Sequence, residues 1–284
     1  MTRQPPEAAA LSWRGEAFNQ EPDSANEIHG DALARQYGFS GGLVPGVTIS
    51  AYLLHPAVQA WGEDFLRRGW SHVRVVSPLY DREHFTVEVE NAAADAYTAR
   101  LLRPDGTVSA HAQVRLEDAP AAAPVPRGDT VVELDYQGPA ATREYWMELA
   151  QHGCRAQRFQ WRPRGRMGTY LRDEQAMPAL LRGPDARANA AFLLGISNWI
   201  TAANAAMNPW VHLETRAQHY RPVCAGTDIL AEMEVADVFD RGGHGFVDTR
   251  VNLFDAADRG CLCSIALRAI YRLRGAGQAR EACA

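Results

Sequence analysis

The chain has 284 residues, enough for two ordinary domains or one large one with a substantial core. Hydrophobic residues make up 46% of it and charged residues 22%, as is typical of a globular protein, and no apolar run approaches the roughly 20 residues that span a bilayer. The net charge of −5 argues against nucleic acid as the main partner, and we expect no membrane partner either.

Composition also indicates the cellular setting. Every basic residue is an arginine and alanine is abundant, which is typical of a GC-rich bacterial genome. The five cysteines are few, odd in number and without C-x-x-C spacing, and the first ten residues contain no apolar segment of a secretion signal. We therefore expect a cytoplasmic bacterial protein with reduced thiols, among them buried Cys261 and Cys263 on one face of a strand. The sequence has no phosphate-binding loop, dinucleotide-binding glycine pattern or metal-ligand cluster, so we expect no cofactor and no metal.

The most informative segment is a polar loop over residues 23–31, Asp-Ser-Ala-Asn-Glu-Ile-His-Gly-Asp, in which Asn26 and His29 lie three residues apart. A glycine-rich turn follows, and after it comes a long apolar stretch that predicts a helix over residues 45–68. Pro45 at the start of this helix leaves the next backbone N–H groups unpaired and available to an oxyanion or a polarised carbonyl.

This loop and helix resemble those of the MaoC-like family, the hotdog-fold enoyl-thioester hydratases and dehydratases. The family's loop reads Asp-x-Asn-Pro-x-His, and a His-Gly pair follows it at the start of the central helix. Asn26 and His29 match the family's Asn and His. Ser24 stands at the family's Asp position, Asp23 lies one place earlier, and Pro45 replaces the His of the His-Gly pair.

The helix and the strands after it occur twice, which indicates a diverged duplication. The second apolar stretch spans residues 188–207. A tryptophan, a histidine and a tyrosine follow each stretch at a common offset of 140 residues, as Trp70, His72 and Tyr80 and as Trp210, His212 and Tyr220. An alternating strand comes next in each half, and each half then ends in a predicted hairpin, the first around the turn Pro104-Asp-Gly.

One long helix followed by antiparallel strands, twice, is the pattern of a double hotdog, an α+β fold in which two antiparallel sheets each wrap a long central helix. We predict an N-terminal hotdog domain over residues 1–118 that carries the Asn-x-x-His loop, a Pro/Ala linker over 119–129 and a C-terminal hotdog domain over 130–284. The second half has no such loop before its helix, so we predict that it is non-catalytic and helps to shape the acyl tunnel. Hotdog sheets commonly pair edge to edge, and a homodimer is a further expectation.

The resemblance implies an active site in the N-terminal half. It makes His29 the general acid and base, with Asp23 or Ser24 as its partner. Asn26 would hold this histidine, or would have a structural role in binding backbone N–H groups of the loop. The N–H groups of Gly46 or Val47 would bind the thioester carbonyl oxygen and stabilise the enolate charge.

Two further groups are candidates for the site. His72 starts the strand that crosses the first helix in the family fold, and it either faces the site or packs against neighbouring aromatic residues. Three arginines of a basic segment either bind the phosphates of coenzyme A or of a pantetheine arm, or form a solvated loop: Arg162, Arg164 and Arg166.

We therefore predict a hydratase or dehydratase that adds water to an enoyl thioester, or removes it from a 3-hydroxyacyl thioester, in a tunnel along the helix of residues 45–68. The thioester would be carried by coenzyme A or by an acyl carrier protein. The departures at Ser24 and Pro45 favour one alternative, a non-catalytic acyl-thioester-binding or pathway-accessory protein. A hotdog thioesterase is a weaker alternative, because such enzymes place a carboxylate on or near the central helix and this helix has none until Glu63.

Overall fold

The computed structural model describes residues 8–274 of the chain. Residues 1–7 and Cys283 lie outside this range. The predicted lack of a secretion signal depends partly on residues 1–7. The α-helices of the described range are α1 (Ala8–Leu11), α2 (Asp31–Gln36), α3 (Gly46–Trp61), α4 (Glu63–Arg68), α5 (Arg143–His152) and α6 (Ala190–Asn204). The strands are β1 (Trp13–Glu16), β2 (Gly69–Val75), β3 (His84–Glu90), β4 (Ala96–Leu102), β5 (Val108–Leu116), β6 (Val131–Val132), β7 (Ala156–Gln160), β8 (Val211–His219), β9 (Asp228–Arg241), β10 (His244–Asp255) and β11 (Cys261–Arg272). Within residues 8–274, every helix is too short or too polar to span a lipid bilayer.

All the strands named above belong to one sheet, in the order β1-β3-β4-β5-β2-β8-β11-β10-β9-β7-β6. The predicted hairpins are β4–β5 and β10–β11. The two halves of the chain meet at the antiparallel pair β2–β8, where His72 lies opposite Arg216. The two predicted sheets are thus one continuous sheet. At this junction β2 and β8 satisfy each other's backbone N–H and C=O groups, which an unpaired edge would leave open.

Two long helices form the core together with this sheet. Helix α3 contacts strands β2, β4 and β5 of its own half, α6 contacts β9 and β11, and the two helices also contact each other. Most residues of both helices are buried. Cys261 and Cys263 are buried free thiols on β11, as predicted. Each half therefore buries one long helix against the strands that follow it, which is the arrangement that the repeated pattern predicts.

The helix predicted over residues 45–68 is interrupted at Gly62. This residue has a φ of 57°, a left-handed conformation that ends α3, and α4 begins directly after it. Glycine adopts this conformation without the steric cost that a Cβ would add. The interruption lets the chain turn before β2.

The predicted linker, residues 119–129, contains no helix or strand. Its end is anchored by Glu232 of β9, a carboxylate whose residue is 1% exposed. The backbone N–H groups of Arg127, Gly128 and Asp129 donate to this carboxylate over 2.7, 2.8 and 3.3 Å. Three donors converging on one buried acid fix the point at which the second half begins.

Replacing Glu232 with Ala should lower the free energy of unfolding by about 2 kcal/mol, because it removes a buried charged acceptor that binds three backbone N–H groups. Urea denaturation measures the change. Glu234→Ala is the matched control on the same strand, since Glu234 is partly exposed and its partners are the arginines Arg127 and Arg250. The control should cost less than about 1 kcal/mol, and an equal loss in both variants would contradict the anchoring role.

Three histidines are buried in the core, His55 on α3 and His212 and His219 on β8. The His55 ring stacks on Trp13 with 4.3 Å between ring centroids. Burial lowers the pKa of His55 and of His219 to about 4. Burial, with a smaller effect from the charge of nearby His29, lowers the pKa of His212 to about 3. All three are therefore neutral at pH 7.

These histidines predict a loss of stability in acid. In the unfolded chain they take up protons near pH 6.5, whereas in the folded chain they do so only near pH 4 or below. The free energy of unfolding is thus fully retained above about pH 6.5. It falls as the pH drops from about 6.5 towards the folded pKa values near 4 or below, by up to about 1.4 kcal/mol per pH unit for each histidine, and each contribution levels off once the folded histidine is protonated too. Urea denaturation at pH 7.5 and at pH 5.0 measures the free energy of unfolding at each value. His219→Gln should reduce the difference between the two free energies, because it removes one of the three histidines. Equal stability at both pH values would contradict the prediction.

Candidate functional site

A cavity of about 890 Å³ lies where the loop of residues 21–29 meets the second half of the chain. Its other walls come from the segment 134–140, from β7 and from α6. Pro45 lines the cavity, but no residue of α3 does. The cavity therefore runs along α6. The sequence predicted a tunnel along the helix of residues 45–68 instead. The physical reason is that most of α3 is buried against the sheet and α6, and the separate cavity lined by its residues Ala51, Leu54, His55 and Val58 has a volume of only about 10 Å³.

His29 lines this cavity at the end of a short 3₁₀ turn, Glu27–His29. Its Nδ1 lies 2.7 Å from the carbonyl oxygen of Leu43. A carbonyl oxygen can only accept, so Nδ1 carries the proton and Nε2 keeps a lone pair. Burial lowers the pKa of His29, and the bond to Leu43 and the negative charge of Glu21 oppose that effect in part. The result is a neutral imidazole with a basic nitrogen, which is what a general base requires.

The backbone around His29 is fixed from two sides. The Asn19 side chain donates to the His29 carbonyl oxygen over 2.8 Å. On the other side Gly42 lies so close that a Cβ there would stand 2.1 Å from the same oxygen. Glycine is therefore required at position 42 for the Leu43 carbonyl to reach the imidazole. This gives a structural reason for the glycine-rich turn that the sequence shows before α3.

Asn26 joins the two halves of the chain. Its Nδ2 donates to the Trp210 carbonyl oxygen over 3.0 Å, and the Trp210 N–H donates to its Oδ1 over 3.1 Å. The same Nδ2 lies 3.5 Å from Nε2 of His29. Asn208, in the second half, binds the same loop. Its side chain accepts from the N–H of Glu27 and donates to the Glu27 carboxylate. Asn26 thus has the structural role that the sequence analysis left open, the binding of backbone groups. Its bonds to Trp210 hold the His29 loop against the second half.

Two carboxylate residues line this cavity, Glu21 and the exposed Asp135, and Glu21 is the one on the His29 loop. Its two oxygens accept from Nε and Nη2 of Arg166 over 2.7 and 2.6 Å, and its side chain is 11% exposed. Asp23 is exposed and does not line the cavity, whereas Ser24 lines it and donates its hydroxyl to the Asn26 carbonyl oxygen. Sequence reasoning missed Glu21 because it lies outside the motif, eight residues before His29, and no local pattern marks it.

The three candidate arginines lie in different environments. Arg166 is bound to Glu21, and its guanidinium lies 4.2 Å from the ring centroid of Trp199. Arg162 lines the cavity and donates to the side chain of Gln160. Arg164 is exposed and does not line the cavity. Arg162 and Arg164 therefore remain available to a ligand, while Arg166 already has a carboxylate partner.

The start of α3 is more enclosed than the sequence predicted. Neither Gly46 nor Val47 lines the cavity, and Val47 is fully buried. A Cβ on Gly46 would stand 2.7 Å from Cδ2 of His212, so the histidine ring packs directly on this turn. A side chain of the second half thus packs against the turn at which the resemblance expects a substrate carbonyl to bind.

His72 lies elsewhere. Its Nε2 is 2.7 Å from a carboxylate oxygen of Glu214 across the β2–β8 junction, and it does not line the cavity. Its strand neighbours Ser71 and Val73 are the buried ones, so His72 is on the opposite face of the sheet from α3. Its role in the structure is to join the two halves.

Comparison with known proteins gives the fold. No family model matches the chain, and no curated protein sequence does. Among solved structures, the tesB protein of Mycobacterium avium subsp. paratuberculosis is 12% identical, with a TM-score of 0.53, over 96% of this chain and 97% of that one. A conserved Mycobacterium tuberculosis protein with a double hotdog fold is 10% identical, with a TM-score of 0.53, over 91% and 93%. A candidate MaoC-domain dehydratase from Chloroflexus aurantiacus is 10% identical, with a TM-score of 0.52, over 92% and 93%.

These likenesses define the class of protein. At such low identity they carry the fold alone, and the chain is a hotdog-fold protein with mixed α+β structure and one large sheet. Thioesterases and dehydratases both stand among its structural neighbours. The reaction must therefore be argued from the site.

The contact between Asn26 and His29 can be tested by a single exchange. Asn26→Asp places a carboxylate at about the same distance from Nε2, and it should raise the pKa of His29 by about 1 to 2 units because an adjacent negative charge favours the imidazolium. Histidine titration by NMR measures the value. Asp23→Asn is the control, since Asp23 is exposed and outside the cavity, and it should leave the pKa unchanged. A His29 pKa unaffected by Asn26→Asp would contradict the observed geometry.

Proposed function

We propose that the protein is a MaoC-like hydratase or dehydratase that acts on an enoyl or 3-hydroxyacyl thioester. One observation carries the proposal: a neutral His29, with Nδ1 bound to the Leu43 carbonyl and an unprotonated Nε2 that lies 3.5 Å from Nδ2 of Asn26, lines a cavity large enough for an acyl group. The Asn26–His29 spacing and the hotdog fold support it. In this proposal the chain is a double hotdog, with one unit before the linker of residues 119–129 and one after it.

In the proposed reaction Nε2 of His29 removes a proton from a water molecule while the water oxygen bonds to C3 of the enoyl group. The C2–C3 π electrons form an enolate, whose negative charge lies on the thioester oxygen. The proton on His29 then passes to C2. The product gains the elements of one water molecule, and the reverse sequence removes them.

Glu21 takes the part that the sequence assigned to Asp23 or Ser24. Its carboxylate raises the pKa of His29 through its charge, so it stabilises the imidazolium that forms when the water loses its proton. Arg166 holds both oxygens of Glu21 and keeps them oriented. Ser24 supports the loop through the Asn26 carbonyl.

Arg162 and Arg164 are proposed to bind phosphate groups of the thioester carrier, either coenzyme A or the pantetheine arm of a carrier protein. Arg162 lines the cavity, and Arg164 is exposed two residues further along. The homodimer, the cytoplasmic setting and the bacterial source stay predictions.

One observation favours a second candidate, a thioesterase. Glu21 and His29 line the same cavity, and together they can activate water for attack on the thioester carbonyl itself, with release of the thiol. Glu63, the helical carboxylate considered from the sequence, binds Arg67 and Arg187 and does not line this cavity. A non-catalytic acyl-thioester-binding protein stays the third reading, supported by the exposed position of Asp23.

Crotonyl-CoA separates these functions in one assay. Hydration removes the enoyl-thioester absorbance without releasing thiol, whereas a thioesterase releases thiol. We expect loss of the absorbance with the unmodified protein and a rate at least about 10²-fold lower for His29→Ala, because the general base is gone. His72→Ala, on the far face of the sheet, is the matched control and should retain activity. Equal turnover by His29→Ala would overturn the mechanism, and binding without turnover would favour the non-catalytic reading.

A further inference from the structure

Three buried polar side chains, those of Asn198, His212 and Thr215, are hydrogen-bonded in series behind the cavity wall. Nδ1 of His212 is 3.0 Å from Oδ1 of Asn198, and its Nε2 is 2.8 Å from Oγ1 of Thr215. His212 is 7% exposed and Thr215 is 2% exposed, so neither is open to bulk solvent. Asn198, on α6, is 9% exposed, and of these three residues it is the one that lines the cavity.

In the structure Oδ1 of the Asn198 amide faces His212, and Nδ2 points away from it. Oδ1 can only accept, so Nδ1 of His212 carries the proton, and Nε2 accepts from the Thr215 hydroxyl. Burial holds the pKa of His212 at about 3, which keeps this ring neutral with one proton. The two N–H groups on Nδ2 of Asn198 have no hydrogen-bond partner within residues 8–274.

This free donor sets Asn198 apart from the other two buried asparagines of the same helix. Nδ2 of the cap residue Asn189 donates to the Met167 and Gly168 carbonyl oxygens. Nδ2 of Asn204 donates to the Arg155 and Ile200 carbonyl oxygens. Buried polar groups are normally paired. A buried amide whose acceptor is occupied and whose donor faces a cavity is therefore arranged for a ligand.

We propose that the Asn198 amide N–H binds the thioester carbonyl oxygen of the substrate, and that His212 acts as its positioning residue. The inference builds on the proposed function, since it names the group that stabilises the enolate oxygen there. Gly46 and Val47, the donors expected from the sequence, do not line the cavity, whereas Asn198 and His29 both do. As the water oxygen bonds to C3, charge develops on the thioester oxygen, and Asn198 donates to it while the proton moves through His29 to C2.

The carbonyl itself provides the test. Crotonyl-CoA labelled with ¹³C at the thioester carbonyl, bound to the His29→Ala protein, should show a carbonyl stretch at lower frequency than the free ligand in isotope-edited infrared spectra. Adding Asn198→Ala should abolish most of that shift. Asn198→Asp is the second variant, because it keeps an acceptor for His212 and removes the donor. In the protein with His29 intact, either change should lower kcat about 10²-fold, with a smaller effect on KM.

His212→Gln tests the positioning role, with His219→Gln as the matched control. His219 is a buried histidine of the same strand and has no bond to Asn198. Both changes disturb the core, but the carbonyl shift should decrease in His212→Gln alone. An equal decrease in both would overturn the positioning role.

The outcomes separate the two proposals. Turnover with a carbonyl shift that survives Asn198→Ala and Asn198→Asp would overturn this inference and leave the hydratase standing. A shift that depends on Asn198 without hydration by the unmodified protein would support the inference and overturn the proposed reaction. Absence of crotonyl-CoA binding in every variant would overturn both.

Discussion

The pairing of β2 with β8 is the interaction on which the rest of the molecule depends. Each strand follows the long helix of its own half, so joining them makes one sheet and brings α3 and α6 into contact. Without this junction two strand edges would carry unpaired backbone groups, and the two helices would have no common support. The cavity exists because this pairing sets the loop of residues 21–29 against α6.

Side chains then hold that loop in register with the second half. Asn26 binds both backbone groups of Trp210, and Asn208 binds Glu27 in return. These bonds join residues about 180 positions apart in the chain, and their lengths are 2.9 to 3.1 Å. The loop that carries His29 is therefore fixed by its partner in the other half as well as by its own turn. A residue that matches a catalytic motif can thus have a structural task too.

Burial sets the chemistry of the histidines. His29 and His212 both have lowered pKa values because the desolvated imidazolium is unfavourable. In His29 the Leu43 carbonyl takes one nitrogen and leaves the other as a base. In His212 both nitrogens have partners, so the ring can orient a neighbour but is not free to exchange protons with a substrate. The same residue type thus serves two different purposes a short distance apart.

The sequence by itself determined the local elements and their order. The alternating strands, the hairpin turn Pro104-Asp-Gly and the two apolar helices follow from periodicity and turn chemistry, which act over a few residues. The Asn26–His29 motif was visible for the same reason. Gly62 was not recognised as a break, because a glycine within an apolar stretch does not reveal its φ. Tertiary structure alone decided that the cavity follows α6 and that Glu21, Asn198 and His212 accompany His29. These residues are far apart in the chain, and the contacts that unite them arise only when the two halves pair.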